Sequence, residues 1–521
     1  MRAACLEINA SCVGEKMQSV DVLIIGAGPA GLTAGYLLTK QSELSVALIE
    51  KDQRYVGGIS RTETFEGHYF DIGGHRFFSK SAEVVALWRE LLPDDFIERP
   101  RSSRIYYQGK YFRYPLDGVE ALKNLGIVES VHCVLSYLRA RIQPHKHPTT
   151  FHQWVANQFG ERLFSIFFKT YTEKVWGMSC DDISADWAAQ RIKGLSLSTA
   201  IIRAIKQSVG IRPASSAPGK TVKSLIESFH YPRRGPGMLW EAAAKKFQKQ
   251  GGTLLMDRAA SAINYDKATA RWTIESTSSD GSVTCFTARH VVCTAPMRET
   301  LGMMRPVPRS APRARDLQYR DFITVALMVD RPASFADNWI YIHDPSVKVG
   351  RIQNFASWSP DMVPNAEQAG CLGLEYFCFD DDALWKSSDE TLVNFAITEV
   401  EKIGLVSRDQ VKGARVVRQP KAYPVYDDRY RDIVDAIRSD IDAHYPNLHL
   451  VGRNGMHKYN NQDHAMMTAM LAVKNIIAEE PLYDVWSVNE DAEYHEADST
   501  PGSGTTGLRE VPSRVARLHQ T

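Results

Sequence analysis

A surplus of either charge is missing from this 521-residue chain: 62 Lys and Arg stand against 61 Asp and Glu, a formal net charge of +1. No overall field is available to gather a nucleic acid or an anionic membrane, so an anionic ligand must be held by a few placed cations. Paired cysteines are missing too. Cys5, Cys12, Cys133, Cys180, Cys285, Cys293, Cys371 and Cys378 include no Cys-x-x-Cys, which excludes the common zinc spacings and a secreted disulfide framework and fits a reducing cytoplasm. Cys285, Cys293 and Cys378 lie in apolar runs and read as small core residues. No internal repeat occurs, and no Ser/His/Asp or activated-cysteine constellation offers a side-chain nucleophile. The longest apolar run is interrupted by glycines, so no membrane span is expected. Residues 1–17 lack the apolar centre of a signal peptide and are expected to be a disordered extension, with Met17 the candidate initiator. Residues 489–521, rich in Gly, Ser and Thr, are expected to be a disordered tail.

What is present begins at Val22-Leu-Ile-Ile-Gly-Ala-Gly-Pro-Ala-Gly31. An apolar strand runs into a glycine turn that opens a helix. Gly26 allows the turn, Gly28 lets backbone approach a pyrophosphate, and Gly31 lets helix pack on strand. A second strand, Ser45-Val-Ala-Leu-Ile-Glu50, ends in an acid placed for a ribose 2′-hydroxyl, which favours FAD or NAD over NADP. Gly57-Gly58 and Arg61 follow at once, two glycines for close approach and a guanidinium able to fork onto a phosphate oxygen. This second element resembles the second fingerprint of a large family of flavoproteins, and that resemblance implies FAD.

The fold class predicted is α/β: a discontinuous Rossmann-like FAD-binding domain with a helical insertion and a β-sheet substrate domain. The FAD-binding domain is expected in three parts (18–116, 231–305 and 431–488). A helical substrate domain over 117–230 and a β-sheet substrate domain over 306–430 separate them. Strands are expected at Thr253–Leu255, Ala270–Glu275, Thr284–Ala288 and His290–Ala295, the second and third forming a hairpin around Ser279-Asp-Gly281. Phe151, Trp154, Phe159, Phe164, Phe167, Phe168, Tyr171 and Trp176 recur near helical spacing and are chiefly core, with one or two at the end of the run free to face a ligand.

The second fingerprint resembles that of the flavoproteins that include amine oxidases, protoporphyrinogen oxidase and UDP-galactopyranose mutases. Within it, Asp71-Ile-Gly-Gly-His-Arg-Phe-Phe78 is similar to the loop against the isoalloxazine, making Gly73, Gly74 and His75 flavin contacts. Val451-Gly-Arg-Asn-Gly-Met-His-Lys-Tyr459 and Asn461-Gln-Asp-His464 resemble the C-terminal signature of the mutases. The resemblance implies that Gly452, Arg453, Asn461, Gln462 and Asp463 are cofactor-binding, with Asp463 either contacting the ribityl chain or capping the helix that follows. Thr150-Phe-His-Gln-Trp154, Tyr171-Thr-Glu-Lys-Val-Trp-Gly177, Trp187-Ala-Ala-Gln-Arg191, Trp339-Ile-Tyr341, Gly350-Arg-Ile-Gln-Asn354 and Ala422-Tyr-Pro424 follow the same family in order.

By that resemblance Arg191, Arg351, Tyr423 and Tyr459 hold a diphosphate beside the flavin, and with His75 they are the candidate catalytic residues. The activity implied is redox-neutral. Reduced flavin N5 displaces the diphosphate from a nucleotide- or lipid-linked sugar, and the resulting flavin–sugar adduct recloses as furanose or pyranose in cell-surface glycan assembly. FAD is active in its reduced form, with NAD(P)H or another reductant as partner and an oligomer possible. The chain departs from the mutases at Leu116-Asp-Gly-Val119, where they carry an amide-rich run that reads uridine, and at Arg76, where they have an apolar residue. The alternative is an oxidoreductase of the amine oxidase, protoporphyrinogen oxidase or desaturase type, transferring a hydride to N5.

Overall fold

Two large sheets organise the chain. The computed structural model describes residues 17–114, 116, 118–185 and 228–489. The extensions expected at the two ends fall outside these residues almost entirely, as do Arg191, its motif from Trp187 and part of the helical insertion.

The first sheet has eight strands and takes them from three distant stretches. Gln18–Ile25 lies between Val46–Ile49 and Val283–Cys293, parallel to both, and Thr253–Leu255 and Leu448–Leu450 extend the parallel part. Strands buried on both faces read as unbroken apolar runs, as Val22-Leu-Ile-Ile25 does. The carboxyl ends of the central strands lead into Gly26, Glu50, Thr294 and Gly452, the rim where open α/β sheets bind ligands. The sequence predicts separate strands at Thr284–Ala288 and His290–Ala295; the structure has one strand, Val283–Cys293. One edge pairs in parallel with Gln18–Ile25 over Phe286–Cys293, while the other edge pairs antiparallel with Arg271–Thr277 over Val283–Ala288 and then in parallel with Leu448–Leu450 over Val291–Cys293. The hairpin is there. The break is not, because a change of partner needs no break in the chain.

The second sheet has seven strands, in the order Val411–Pro424, Tyr319–Val329, Gly370–Cys378, Arg351–Asn354, Trp339–Ile342, Ser103–Tyr107 and Lys110–Arg113. Ser103–Tyr107 pairs in parallel with Trp339–Ile342. Residues 103–113 therefore extend this sheet, whereas the sequence groups them with the first part of the FAD-binding domain. Helices Ile127–Ile142, Phe151–Phe159 and Thr170–Trp176 pack as a third unit around Phe151, Phe164, Phe167 and Trp176, as the aromatic run predicts. Cys293, Cys371 and Cys378 are buried thiols, and Cys285 is equally buried, as expected of residues in apolar runs.

Beneath the glycine loop 73–74, Asp71 is buried, accepting from Thr62 Oγ1 at 3.0 Å and from the Tyr231 hydroxyl. Full burial pushes its pKa up to about 7, with the Tyr231 and Thr62 hydrogen bonds pulling the other way. A carboxyl whose folded pKa lies above its unfolded value stabilises the fold when protonated, and that stability drains away as pH rises through the folded value. Stability should fall between about pH 4 and pH 7, by on the order of a few kcal/mol at full ionisation. Urea denaturation across that range checks this: Asp71→Asn should flatten the dependence, and an unchanged slope would remove Asp71 from it.

Candidate active site

The glycine fingerprint folds into an open cradle. Gly26 has φ +99°, and a Cβ there would lie 2.2 Å from Thr294 Oγ1. At Gly31 a Cβ would lie 1.9 Å from the Gly26 carbonyl oxygen, so only glycine lets the helix Pro29–Gln41 sit this close to its strand. Gly28 differs: a Cβ there meets nothing within 4 Å. Its backbone borders free space, and no side chain caps the helix N-terminus beside it. Gly58 closes the same space, since a Cβ on it would touch Gly28 Cα at 3.4 Å. The two glycine motifs, some thirty residues apart in sequence, thus converge around one helix N-terminus, where backbone amides and the dipole favour phosphate.

Glu50 is buried at the next strand end, accepting from Ala27 N at 2.6 Å and Asp52 N at 2.9 Å. Burial raises its pKa and those two amides oppose the shift. Arg61 turns to protein partners: Glu63 at 2.8 Å, the Gly58 carbonyl at 3.2 Å and Gln419 at 2.7 Å. It braces the second glycine loop from below. Gly452 completes the rim, because a Cβ there would press on Ala30 Cβ at 3.1 Å, and its N–H donates to Thr468 Oγ1. The helix Gln462–Ala478 starts beside it. Its cap is a reciprocal pair, Asn461 with His464, so Asp463 does not serve as the cap residue; it lies buried in the first turn. Gln462 Nε2 donates to the Arg76 carbonyl, while its Oε1 is buried without a partner among the described residues. An open phosphate cradle, a buried acid at the ribose position and an orphaned amide oxygen beside the His75 loop together fit FAD.

The second group of candidates also comes together. Arg351 Nη2 lies 3.7 Å from where a Gly73 Cβ would be, and His75 Cε1 at 3.9 Å from the same point. Arg351 Nε pairs with Glu375, which is fully buried on the adjacent strand and also receives Gln353 Nε2 at 2.7 Å. Burial works against the Arg351 charge, but Glu375 and the surrounding tyrosines more than offset it, so its pKa is raised. Burial raises the pKa of Glu375 too, opposed by Arg351 and Gln353. The guanidinium keeps its charge at any accessible pH, so the pair stands as carboxylate and cation. Among the described residues neither terminal nitrogen of Arg351 has a protein acceptor, which leaves its fork free for a ligand.

Tyrosines wall this cation in. Tyr423 and Tyr459 stack at 5.5 Å and 11°, and the Arg453 guanidinium leans over both rings at 5.4 and 5.1 Å. Arg453 is itself held by the carbonyls of Asn460 and Ala422. Tyr171 meets Tyr341 edge-on at 5.3 Å and stacks on His343 at 4.9 Å, and Trp176 lies 6.3 Å from Tyr459. A π-helical segment, Ser165–Lys169, immediately precedes Tyr171. His75, hydrogen-bonded to the Gly73 carbonyl at 3.1 Å, has its pKa pushed down to about 3, first by burial and then by Arg453 and Arg351. It is a neutral imidazole at any physiological pH. Gly74 packs against Trp358, and Arg76, the departure from the mutase pattern, stacks over Trp339 at 5.1 Å.

Tyr171, Tyr341 and Glu375 join the site without having been predicted as members. Glu375 had a signal in the sequence: a lone acid in the apolar strand Cys371-Leu-Gly-Leu-Glu-Tyr-Phe-Cys378 must be paired if buried. Tyr171 had one too, standing near the end of the aromatic run from which one or two residues were free to face a ligand, and Tyr341 had none beyond its place in a quoted motif. No described helix is long and apolar enough to cross a membrane, and no cluster of metal ligands occurs among the described residues.

Residues 29–477 match the family profile described as flavin containing amine oxidoreductase. Coproporphyrinogen III oxidase of Mycobacterium leprae is 23% identical over 450 residues, 82% of this chain and 92% of that protein. A crystal structure of reduced UDP-galactopyranose mutase superposes with a TM-score of 0.74 at 21% identity, covering 88% of this chain and 96% of the mutase. An engineered putrescine oxidase superposes with a TM-score of 0.58 at 16% identity, covering 89% and 100%. At these identities the structural likenesses establish the fold alone.

Proposed function

The chain belongs to the flavin containing amine oxidoreductase family, and from that premise we propose that it is a mutase interconverting the pyranose and furanose forms of a sugar carried on a diphosphate. The carrier is a nucleotide or a lipid, and the setting is cell-surface glycan assembly. Reduced FAD, kept so by NAD(P)H or another reductant, supplies when bound a nucleophilic nitrogen that no side chain here offers. The observation that supports the reading is Arg351: a buried cation beside the Gly73–His75 loop, oriented from behind by Glu375, with both terminal nitrogens unclaimed among the described residues.

Such a guanidinium binds the diphosphate before and after it leaves the sugar, so the departing group stays within reach for its return. Tyr423 and Tyr459 add hydroxyl donors without adding charge, and burial raises the pKa of Tyr423 first, with Tyr459 adding to it, which keeps it protonated. Tyr171, Tyr341 and Trp176 exclude water, strengthening each of these interactions. Arg191 is proposed as the second arm of the clamp. A neutral His75 places no full charge against the ring.

A second reading, an oxidoreductase passing a hydride to the flavin, draws on the same aromatic walls, which suit an apolar substrate as well as a sugar. One experiment separates the two. Dithionite-reduced holoenzyme incubated anaerobically with a panel of sugar nucleotides should isomerise one of them with no net change in flavin absorbance. Flavin that cycles with substrate in air and accumulates hydrogen peroxide overturns the mutase reading.

A further inference from the structure

Ten large hydrophobic residues are well exposed among the described ones, and six lie on the single helix Ile127–Ile142. Ile127, Val128, Val131, Leu135, Leu138 and Ile142 are 49% to 85% exposed. From Val128 onward their spacing alternates three and four residues, so they form one stripe along the helix. The opposite face is docked: Cys133 and Tyr137 are buried, and a Cβ on Gly160 would strike the Tyr137 backbone nitrogen at 2.6 Å. The stripe therefore belongs to a seated helix and not to a fraying one. A patch of this size on an otherwise ordinary surface marks an interaction site.

Charge identifies the partner. Lys123, Arg139, Arg141 and Lys146 are exposed around the stripe, with His132, His145 and His147. The helix carries one acid, Glu129, and Arg162 takes it in a two-pronged pair, Nη2 to Oε2 at 3.0 Å. Pairing two copies of the stripe would set Arg139 and Arg141 beside the seam with no unpaired acid on the helix itself to meet them, which disfavours a second copy. Apolar residues flanked by Arg and Lys match the acyl boundary and the phosphates of an anionic bilayer. We propose that the helix Ile127–Ile142 docks this protein peripherally on an anionic lipid surface, stripe inward, without spanning it. The balanced net charge of the whole chain conceals this local basic rim. The apolar cluster behind the helix continues to Trp176, Tyr341 and Tyr459, so the docked face and the candidate site are parts of one packed unit. The inference stands independently of the mutase reading.

Flotation of the full-length FAD-bound protein with vesicles tests it. The protein should rise with phosphatidylcholine vesicles containing phosphatidylglycerol and much less with phosphatidylcholine alone. Arg139→Ala/Arg141→Ala should weaken partition about thirtyfold, each cation near an anionic surface contributing about a fivefold share. Leu135→Ser/Leu138→Ser should abolish flotation, with bound FAD and melting temperature unchanged as proof of folding. A wild-type protein that stays at the bottom with both vesicles overturns the proposal, as does flotation indifferent to both variants. A concentration-dependent dimer dispersed by the leucine variant would also overturn it, by showing that a second copy covers the stripe.

Discussion

Arg351→Ala should lose a diphosphate ligand while keeping FAD. Titration of UDP or inorganic pyrophosphate into the reduced holoenzyme should show affinity lower by about a hundredfold or more, the usual cost of truncating one partner of a buried charge contact. Flavin absorbance should be unchanged, because the dinucleotide cradle is built from other strands. The same substitution should also cost stability. Glu375, fully buried, would lose its cation and retain only the Gln353 amide. An unpaired buried carboxylate costs roughly 3–5 kcal/mol, readable as a lower urea midpoint. Arg351→Met/Glu375→Gln separates the two effects: stability should return in large part and ligand binding should not. If affinity survives in Arg351→Ala, the clamp is not where the mutase reading needs it.

The second large effect concerns the cofactor, and it divides by glycine. Gly28→Ala should fold with a wild-type melting temperature yet lose FAD. The backbone at Gly28 has an ordinary φ of −75° and an added Cβ meets no protein atom. What that Cβ would fill is the open space where we propose the pyrophosphate binds. Gly31→Ala should fail earlier, because its Cβ collides with the Gly26 carbonyl and forces helix from strand. Melting curves with and without added FAD distinguish the two. Added FAD should raise the melting temperature of wild type, by mass action on the folded state, and leave Gly28→Ala unmoved. A Gly28→Ala protein that binds FAD normally would place the pyrophosphate elsewhere.

Much of this was legible along the chain, and the rest for physical reasons was not. Gly26, Gly28, Gly31 and Glu50 act through local geometry, strand to turn to helix, which is written in consecutive residues. Arg351, Tyr423 and Tyr459 were reached through motif resemblance, and the structure does bring them together with His75 and Arg453. Which sheet receives Ser103–Tyr107 depends on Trp339–Ile342, more than two hundred residues away, and no local pattern carries that pairing. Val283–Cys293 was read as two strands for the same reason: along one edge its two halves answer to different neighbours, Arg271–Thr277 and then Leu448–Leu450. Tyr171 and Tyr341 face the site only because a helix of the insertion packs across a strand of the second sheet. Arg61 shows the opposite limit, since its motif suggests phosphate while its donors reach Glu63, Gly58 and Gln419.

The contact between Gly452 and Ala30 has a bearing on how the protein is made. The glycine turn is translated more than four hundred residues before its far wall, and Leu448–Leu450 completes the sheet beside Val283–Cys293 only then. A ribosome-bound chain stopped before that point has no finished pocket for its cofactor and leaves the apolar edge Val291–Cys293 without its partner strand, open to pairing with another chain.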